Sequence, residues 1–338
     1  MWRGFALGVV VLGLASAQPP APTPTPSQDA FKAAVSEVIV PVTVTDDKGR
    51  FVTNLKKEDF KLFDEGKEQN ITFFTAERNQ PVVVGYLIDL SNTSRLHWDK
   101  FIEANQELVL ATMPDPKRFS GYLIGYRQEA DLMVNTTNDP EKILDKIRKM
   151  KPGGGAALYD AVYAACTSRT LVKGEPIEPR RVIIILGDGH DNASKKSLQE
   201  VVEIAQRNLV TIYGVSTKAF GFQAEGEANL TRLTEATGGR VVYPLENTYK
   251  DVSGYLSTPS DEGNYALKVG TGGYMSVIMS GIVKAIEDTA GEITTQYILR
   301  YVPSNTDVGR QFRRIRVEVN LPLVKVRARE GYYPFSAR

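Results

Sequence analysis

The chain is poor in the groups that most often carry covalent or redox chemistry. One cysteine, Cys166, and two histidines, His97 and His190, stand in 338 residues. A single thiol excludes an intramolecular disulfide. Its setting, Ala157-Leu158 then Ala161-Val162 then Ala165-Cys166, predicts a buried structural thiol on a helix rather than a reactive one. No Gly-x-Ser-x-Gly elbow surrounds Ser91, and no Lys-Ser or Lys-Thr follows Gly153-Gly154-Gly155. Both absences argue against familiar machinery, the α/β-hydrolase elbow and the P-loop. Charge of one sign is lacking too: 41 Lys and Arg balance 40 Asp and Glu, for a net charge of +1. Nothing global therefore points to nucleic acid or an anionic membrane as partner. A hydrophobic content of 42% and a charged content of 24% are those of a globular protein. The length suggests about two domains.

The amino terminus has its own pattern. Met1-Trp2-Arg3 is a short basic start, residues 4–14 are apolar, and Ala15-Ser16-Ala17 is a small-residue cleavage site. That is the form of a secretory signal peptide over residues 1–17, too short to span a membrane. Its removal takes away Arg3 and no acid, leaving a neutral mature chain. Residues 18–35 open with Gln18-Pro19-Pro20 and predict an extended Pro-rich linker. No cysteine follows the apolar run, so a lipid anchor is not expected, and the destination predicted is periplasmic or extracellular.

The two flanks read as antiparallel strands. Val38, Val40, Val42 and Val44 alternate with less apolar neighbours, and 60–63 and 71–74 are shorter candidates around a turn at Asp64-Glu65-Gly66. At the other end Ile315, Val317 and Val319, then Val324, Val326 and Ala328, alternate with charged residues. Neither flank has enough strands for its own core. Residues 36–78 and 293–338 are therefore expected to form one small β-sandwich. Arg313, Arg314, Arg316, Lys325, Arg327 and Arg329, against Glu318 alone, predict a basic outer face, read either as a solvated sheet face or as a surface for an acidic partner. Tyr332 and Tyr333 are expected to pack the last strand.

Between the flanks, over 80–292, strands and helices alternate, which predicts a mainly parallel sheet. Strands are expected at 82–88, 121–126, 130–134, 182–186, 210–215 and 240–243, the third an antiparallel edge strand formed by a hairpin at Gln128. Helices are expected at 98–112, 140–150, 156–169, 196–208, 228–237 and 275–290, with a long irregular loop over 244–274.

The buried run at 82–88 ends in Asp89, Ser91 and Thr93, and the run at 181–187 ends in Asp188-Gly189-His190-Asp191. Oxygen side chains at the carboxyl ends of strands lie where open α/β sheets bind ligands, and they suit a hard cation. This pair of motifs resembles the von Willebrand factor type A domain and its metal-ion-dependent adhesion site, in which Asp-x-Ser-x-Ser is joined by a Thr and an Asp from two further loops. The resemblance implies a Rossmann-like fold and a divalent cation such as Mg²⁺. It makes Asp89, Ser91 and Thr93 ligands from the first loop and Asp188 a ligand from the third. It also implies a non-enzymatic binding module whose protein partner completes the coordination with a carboxylate.

The middle loop departs from the family. Where members carry Gly-Gly-Thr-Ala-Leu-Tyr-Asp-Ala, this chain has Gly154-Gly155-Ala156-Ala157-Leu158-Tyr159-Asp160-Ala161, so Ala156 replaces the expected Thr ligand. A methyl group cannot coordinate a cation, and a water is expected in its place. The flanks are similar to those of an exported, acidobacterial-type family related to von Willebrand factor A, through Val44-Thr45-Asp46, Glu58-Asp59-Phe60, Gln296-Tyr297-Ile298 and Gly331-Tyr332-Tyr333. Three alternatives stay open. Ser91 and Thr93 serve only to cap the helix near Trp98; the domain is a metal-free scaffold binding through the 244–274 loop; or Ser91, His190 and Asp188 form a hydrolase site.

Overall fold

The computed structural model of the chain describes residues 37–76, 81–95, 98–167, 179–216, 225–243, 271–305 and 311–334. The expected signal peptide, the linker, His97 and residues 244–270 lie outside them. Among the described residues no helix is long and apolar enough to cross a membrane.

The amino-terminal flank forms β1 (Val38–Asp46), β2 (Phe60–Asp64), β3 (Lys67–Gln69) and β4 (Ile71–Thr75). The central segment follows with β5 (Val82–Asp89), α1 (Trp98–Thr112), β6 (Phe119–Tyr126), β7 (Ala130–Thr137), α2 (Pro140–Ile147), α3 (Leu158–Thr167), β8 (Arg180–Gly187), α4 (Leu198–Arg207), β9 (Thr211–Ser216), α5 (Glu225–Thr237), β10 (Val241–Val242) and α6 (Thr271–Thr295). The chain closes with β11 (Tyr297–Tyr301), β12 (Arg313–Val319), β13 (Val324–Ala328) and β14 (Gly331–Tyr332).

The central sheet has the order β10-β9-β8-β5-β6-β7. All its pairings are parallel except the hairpin partner β7, which is antiparallel at the edge. Every residue of β5 and of β9 is buried, as parallel strands covered on both faces must be. Alternation along β5 sends Val82, Val84, Tyr86 and Ile88 into a core with α1, α2 and α6. Val83 and Leu87 enter the opposite core with α3, α4 and α5. Cys166 is buried in that second core, and burial pushes its thiol up to about 12, so it is an inert packing residue.

The flanks meet in two antiparallel sheets, ordered β13-β1-β11-β4 and β14-β12-β2-β3, each drawing strands from both chain ends. One core joins them: Val40, Val42, Leu62, Tyr297, Leu299 and Tyr301 are among its buried members. Two details differ from the sequence expectation. The turn at Glu65-Gly66, both with positive φ, leads into β3, an extra strand paired with β2. The segment 71–75 then crosses to the other sheet and pairs with β11. Similarly α6 begins at Thr271, so residues 271–274 belong to a helix and not to the expected loop.

The expected basic face is not one face. Arg313 and Arg329 are buried, and the Arg327 guanidinium reaches Glu292 of α6. Only part of the expected set, including Arg314, Arg316 and Lys325, is exposed. The two tyrosines do pack: Tyr332 meets Tyr301 edge-on at 6.5 Å and donates to Asp64, while Arg207 lies 4.0 Å over the Tyr333 ring.

Candidate metal centre

Asp89 is the last residue of β5 and pairs with Tyr126, the last residue of β6. The chain then turns. The Ser91 N–H donates to Asp89 Oδ1 at 2.7 Å, and residues Asn92–Arg95 close a short 3₁₀ turn. This Asx turn folds the next two hydroxyls back toward the acid. Ser91 Oγ and Thr93 Oγ1 lie 2.7 Å apart, and Thr93 Oγ1 is 3.5 Å from Asp89 Oδ2. The two hydroxyls engage each other. After β8 the same device recurs, with the His190 N–H donating to Asp188 Oδ1 at 2.9 Å.

The two acids face one another in a dry setting. Asp89 is 1% exposed and Asp188 4%. Burial, then the charge of Asp188, raises the Asp89 carboxyl to about 6. Gly187 makes the approach possible. A methyl group there would stand 2.6 Å from the Tyr126 hydroxyl and 3.1 Å from Asp89 Cβ.

The middle loop is stitched to its neighbours through the backbone. The Asn92 N–H donates to Gly154 O at 3.1 Å and the Gly153 N–H to Leu90 O at 2.7 Å. Asn192 accepts from the Ala156 N–H at 2.8 Å, and its own N–H donates back to Ala156 O at 2.9 Å. Gly154, at a φ of 106°, takes a backbone conformation that only glycine adopts readily. Asp191 holds the Tyr159 N–H at 2.9 Å and the Ser194 hydroxyl at 2.6 Å, while Asp160 receives the N–H groups of Lys195 and Lys196. These two acids fasten the third loop, as far as Lys196, to the start of α3. Position 156 is thus held beside the third loop, and its methyl is fully buried.

Residues 84–252 match the von Willebrand factor type A domain. The chain belongs to that family. Its type A domain has the expected α/β architecture with a mainly parallel sheet, and the antiparallel sandwich adjoins it. Proximal thread matrix protein 1 of the mussel byssus, described with a zinc-occupied MIDAS motif, is 13% identical; the likeness covers 68% of this chain and 49% of that one, with a TM-score of 0.41. This chain thus spans about half the length of the mussel protein. An aerotolerance-related membrane protein of Bacteroides fragilis is 14% identical over 58% of this chain and 99% of its own, with a TM-score of 0.38. The PilB minor pilin of Streptococcus sanguinis is 11% identical over 64% and 62%, with a TM-score of 0.43. No protein of curated function matches the chain.

Two acids gather here with two hydroxyls. Among the described residues no group of three His, Cys, Asp or Glu side chains forms a metal cluster. The hydroxyls and water would have to supply the remaining ligands of a cation. Among the described residues the hydrolase alternative gains no hydrogen bond between Ser91 and His190: the Ser91 hydroxyl meets Thr93 and Asp89, and the His190 contact to Asp188 is through its backbone. Tyr126, Gly187 and Asn192 shape the site although spacing alone does not single them out. Their roles arise across strands, and the only local signal is the acid-and-amide run after β8.

Proposed function

We propose that this is an exported, non-enzymatic binding module that grips a protein partner through a divalent cation. Asp89, Ser91 and Thr93 serve as direct ligands, and Asp188 binds directly or through water. A water replaces the hydroxyl missing at Ala156. The partner supplies a carboxylate to the remaining coordination position. The observation that carries this reading is the meeting of Asp89 and Asp188, both buried, with the Ser91 and Thr93 hydroxyls at the carboxyl edge of the sheet. Two buried carboxylates with no cationic side chain bonded to them among the described residues are costly unless a cation joins them. Their all-oxygen company favours Mg²⁺ or Mn²⁺ over softer metals.

Calorimetric titration with Mg²⁺ and Mn²⁺ tests the reading. Wild-type protein should bind one ion, and Asp89→Ala should abolish binding by removing the principal charge facing it. Equal heats from both proteins would refute the assignment. Export rests on the pattern of residues 1–17. Mass spectrometry of secreted material should find Gln18 as the first residue, and recovery of only the full-length chain would overturn it.

A further inference from the structure

Tyr126 is fully buried, and its hydroxyl has no hydrogen-bond partner among the described residues. A phenylalanine would fill the same space without stranding a polar atom, which is costly when buried unpaired. The position of the hydroxyl is informative. It points to the carboxyl edge of the sheet, where the missing side chain of Gly187 leaves it room 2.6 Å from where a methyl would stand. The acids that act on it are Asp89, Asp188 and Asp191, those of the first and third loops. It also belongs to the same buried cluster as Ala156, whose methyl stands where the family has a hydroxyl. The ring is fixed by its backbone as well, since Tyr126 O accepts the Leu90 N–H at 2.8 Å.

We propose that Tyr126 is a positioning residue of the cation site, its hydroxyl oxygen accepting from the metal-bound water that replaces the hydroxyl absent at Ala156. The inference rests on the cation reading above. A metal-polarised water is a strong donor, and the phenol oxygen offers it an acceptor. One residue on β6 in this way offsets the lost ligand on the middle loop.

The test uses the full chain and Mn²⁺, with free ion followed by electron paramagnetic resonance. Tyr126→Phe should weaken Mn²⁺ binding about tenfold, the scale of losing an outer-shell partner. The melting temperature in EDTA should hold or rise, because an unpaired hydroxyl is removed. In an Ala156→Thr background, where the new hydroxyl displaces the water, Tyr126→Phe should change affinity less than twofold. Unchanged affinity in the single variant overturns the inference while leaving the cation site standing. So do equal losses in both backgrounds, because the hydroxyl would then not act through that water. Absence of Mn²⁺ binding in wild type and Ala156→Thr alike overturns the cation reading and this inference together.

Discussion

At the scale of single residues, Asp89 concentrates the conflict in this molecule. Its carboxyl is buried beside a second acid, and both causes raise it from the ordinary carboxylate range to about 6. The sign of the consequence is definite. Below about pH 4 the group is protonated in folded and unfolded chains alike, and it contributes nothing. As pH rises through 6 the folded protein must ionise a group that the unfolded chain has already ionised in water. Stability of the metal-free protein should therefore fall between about pH 4 and 6, by up to about 3 kcal/mol. Thermal melts in EDTA across that range should show the fall in wild type and a flatter profile in Asp89→Asn; parallel profiles would refute it. Asp89, Ser91, Thr93 and Asp188 were singled out as candidates because each of their two motifs is contiguous and follows a buried run. Tyr126 and Gly187 were not. A tyrosine at a strand end and a glycine after an isoleucine run acquire their roles only when β5, β6 and β8 lie side by side.

At the scale of elements, helices read more clearly than short strands. The expected helix at 98–112 coincides with α1, since its apolar spacing spans four turns. β3 and β14 were not expected, being three and two residues long and carrying no alternation to detect. That β4 leaves the sheet of its hairpin neighbours for β11 is a tertiary choice, invisible in five residues. The helix α6 extends past the expected 290 to Thr295, and Thr294 and Thr295 there turn their hydroxyls onto carbonyls one turn back. The extra turn matters, for it carries Glu292. That carboxylate, fully buried, receives Arg240 of the type A domain at 2.9 Å, Arg327 of β13 and the Thr43 hydroxyl of β1 at 3.0 Å. Arg180 adds a bond to Ile293 O at 2.6 Å. Removing the acid leaves two guanidinium groups without their counter-charge. Glu292→Gln should therefore cost about 3 kcal/mol or more, read as a lower denaturant midpoint. A midpoint unchanged from wild type would show that this junction contributes little.

At the scale of the whole molecule, the chain ends close a sandwich and the middle forms the type A domain. The expectation of that division came from hydrophobic period, two at the flanks and buried runs between, together with the likeness of the flanks to an exported family. What period could not tell is which charged residues turn inward. Alternation placed Arg327 and Arg329 on the wet face of β13. In the fold Arg327 serves the junction, and Arg329 is buried where its backbone passes close to Gly238 at the end of α5. Burial holds the Arg329 guanidinium down to about 10. These positions lie where the sandwich meets the type A domain, so one outer face of the sheet is spent on a contact. The carboxyl edge of the central sheet is where the oxygen side chains of Asp89, Ser91, Thr93 and Asp188 gather.

Position 156 decides whether that edge is a working cation site. Its backbone is held in place by Asn192 while its side chain lacks an oxygen. The most direct measurement is calorimetric Mg²⁺ titration of wild type beside Ala156→Thr. Restoring the hydroxyl should tighten binding by about 1–2 kcal/mol, the worth of one satisfied polar contact in a buried site. No heat from either protein would contradict the account and leave the four converging side chains as a structural remnant.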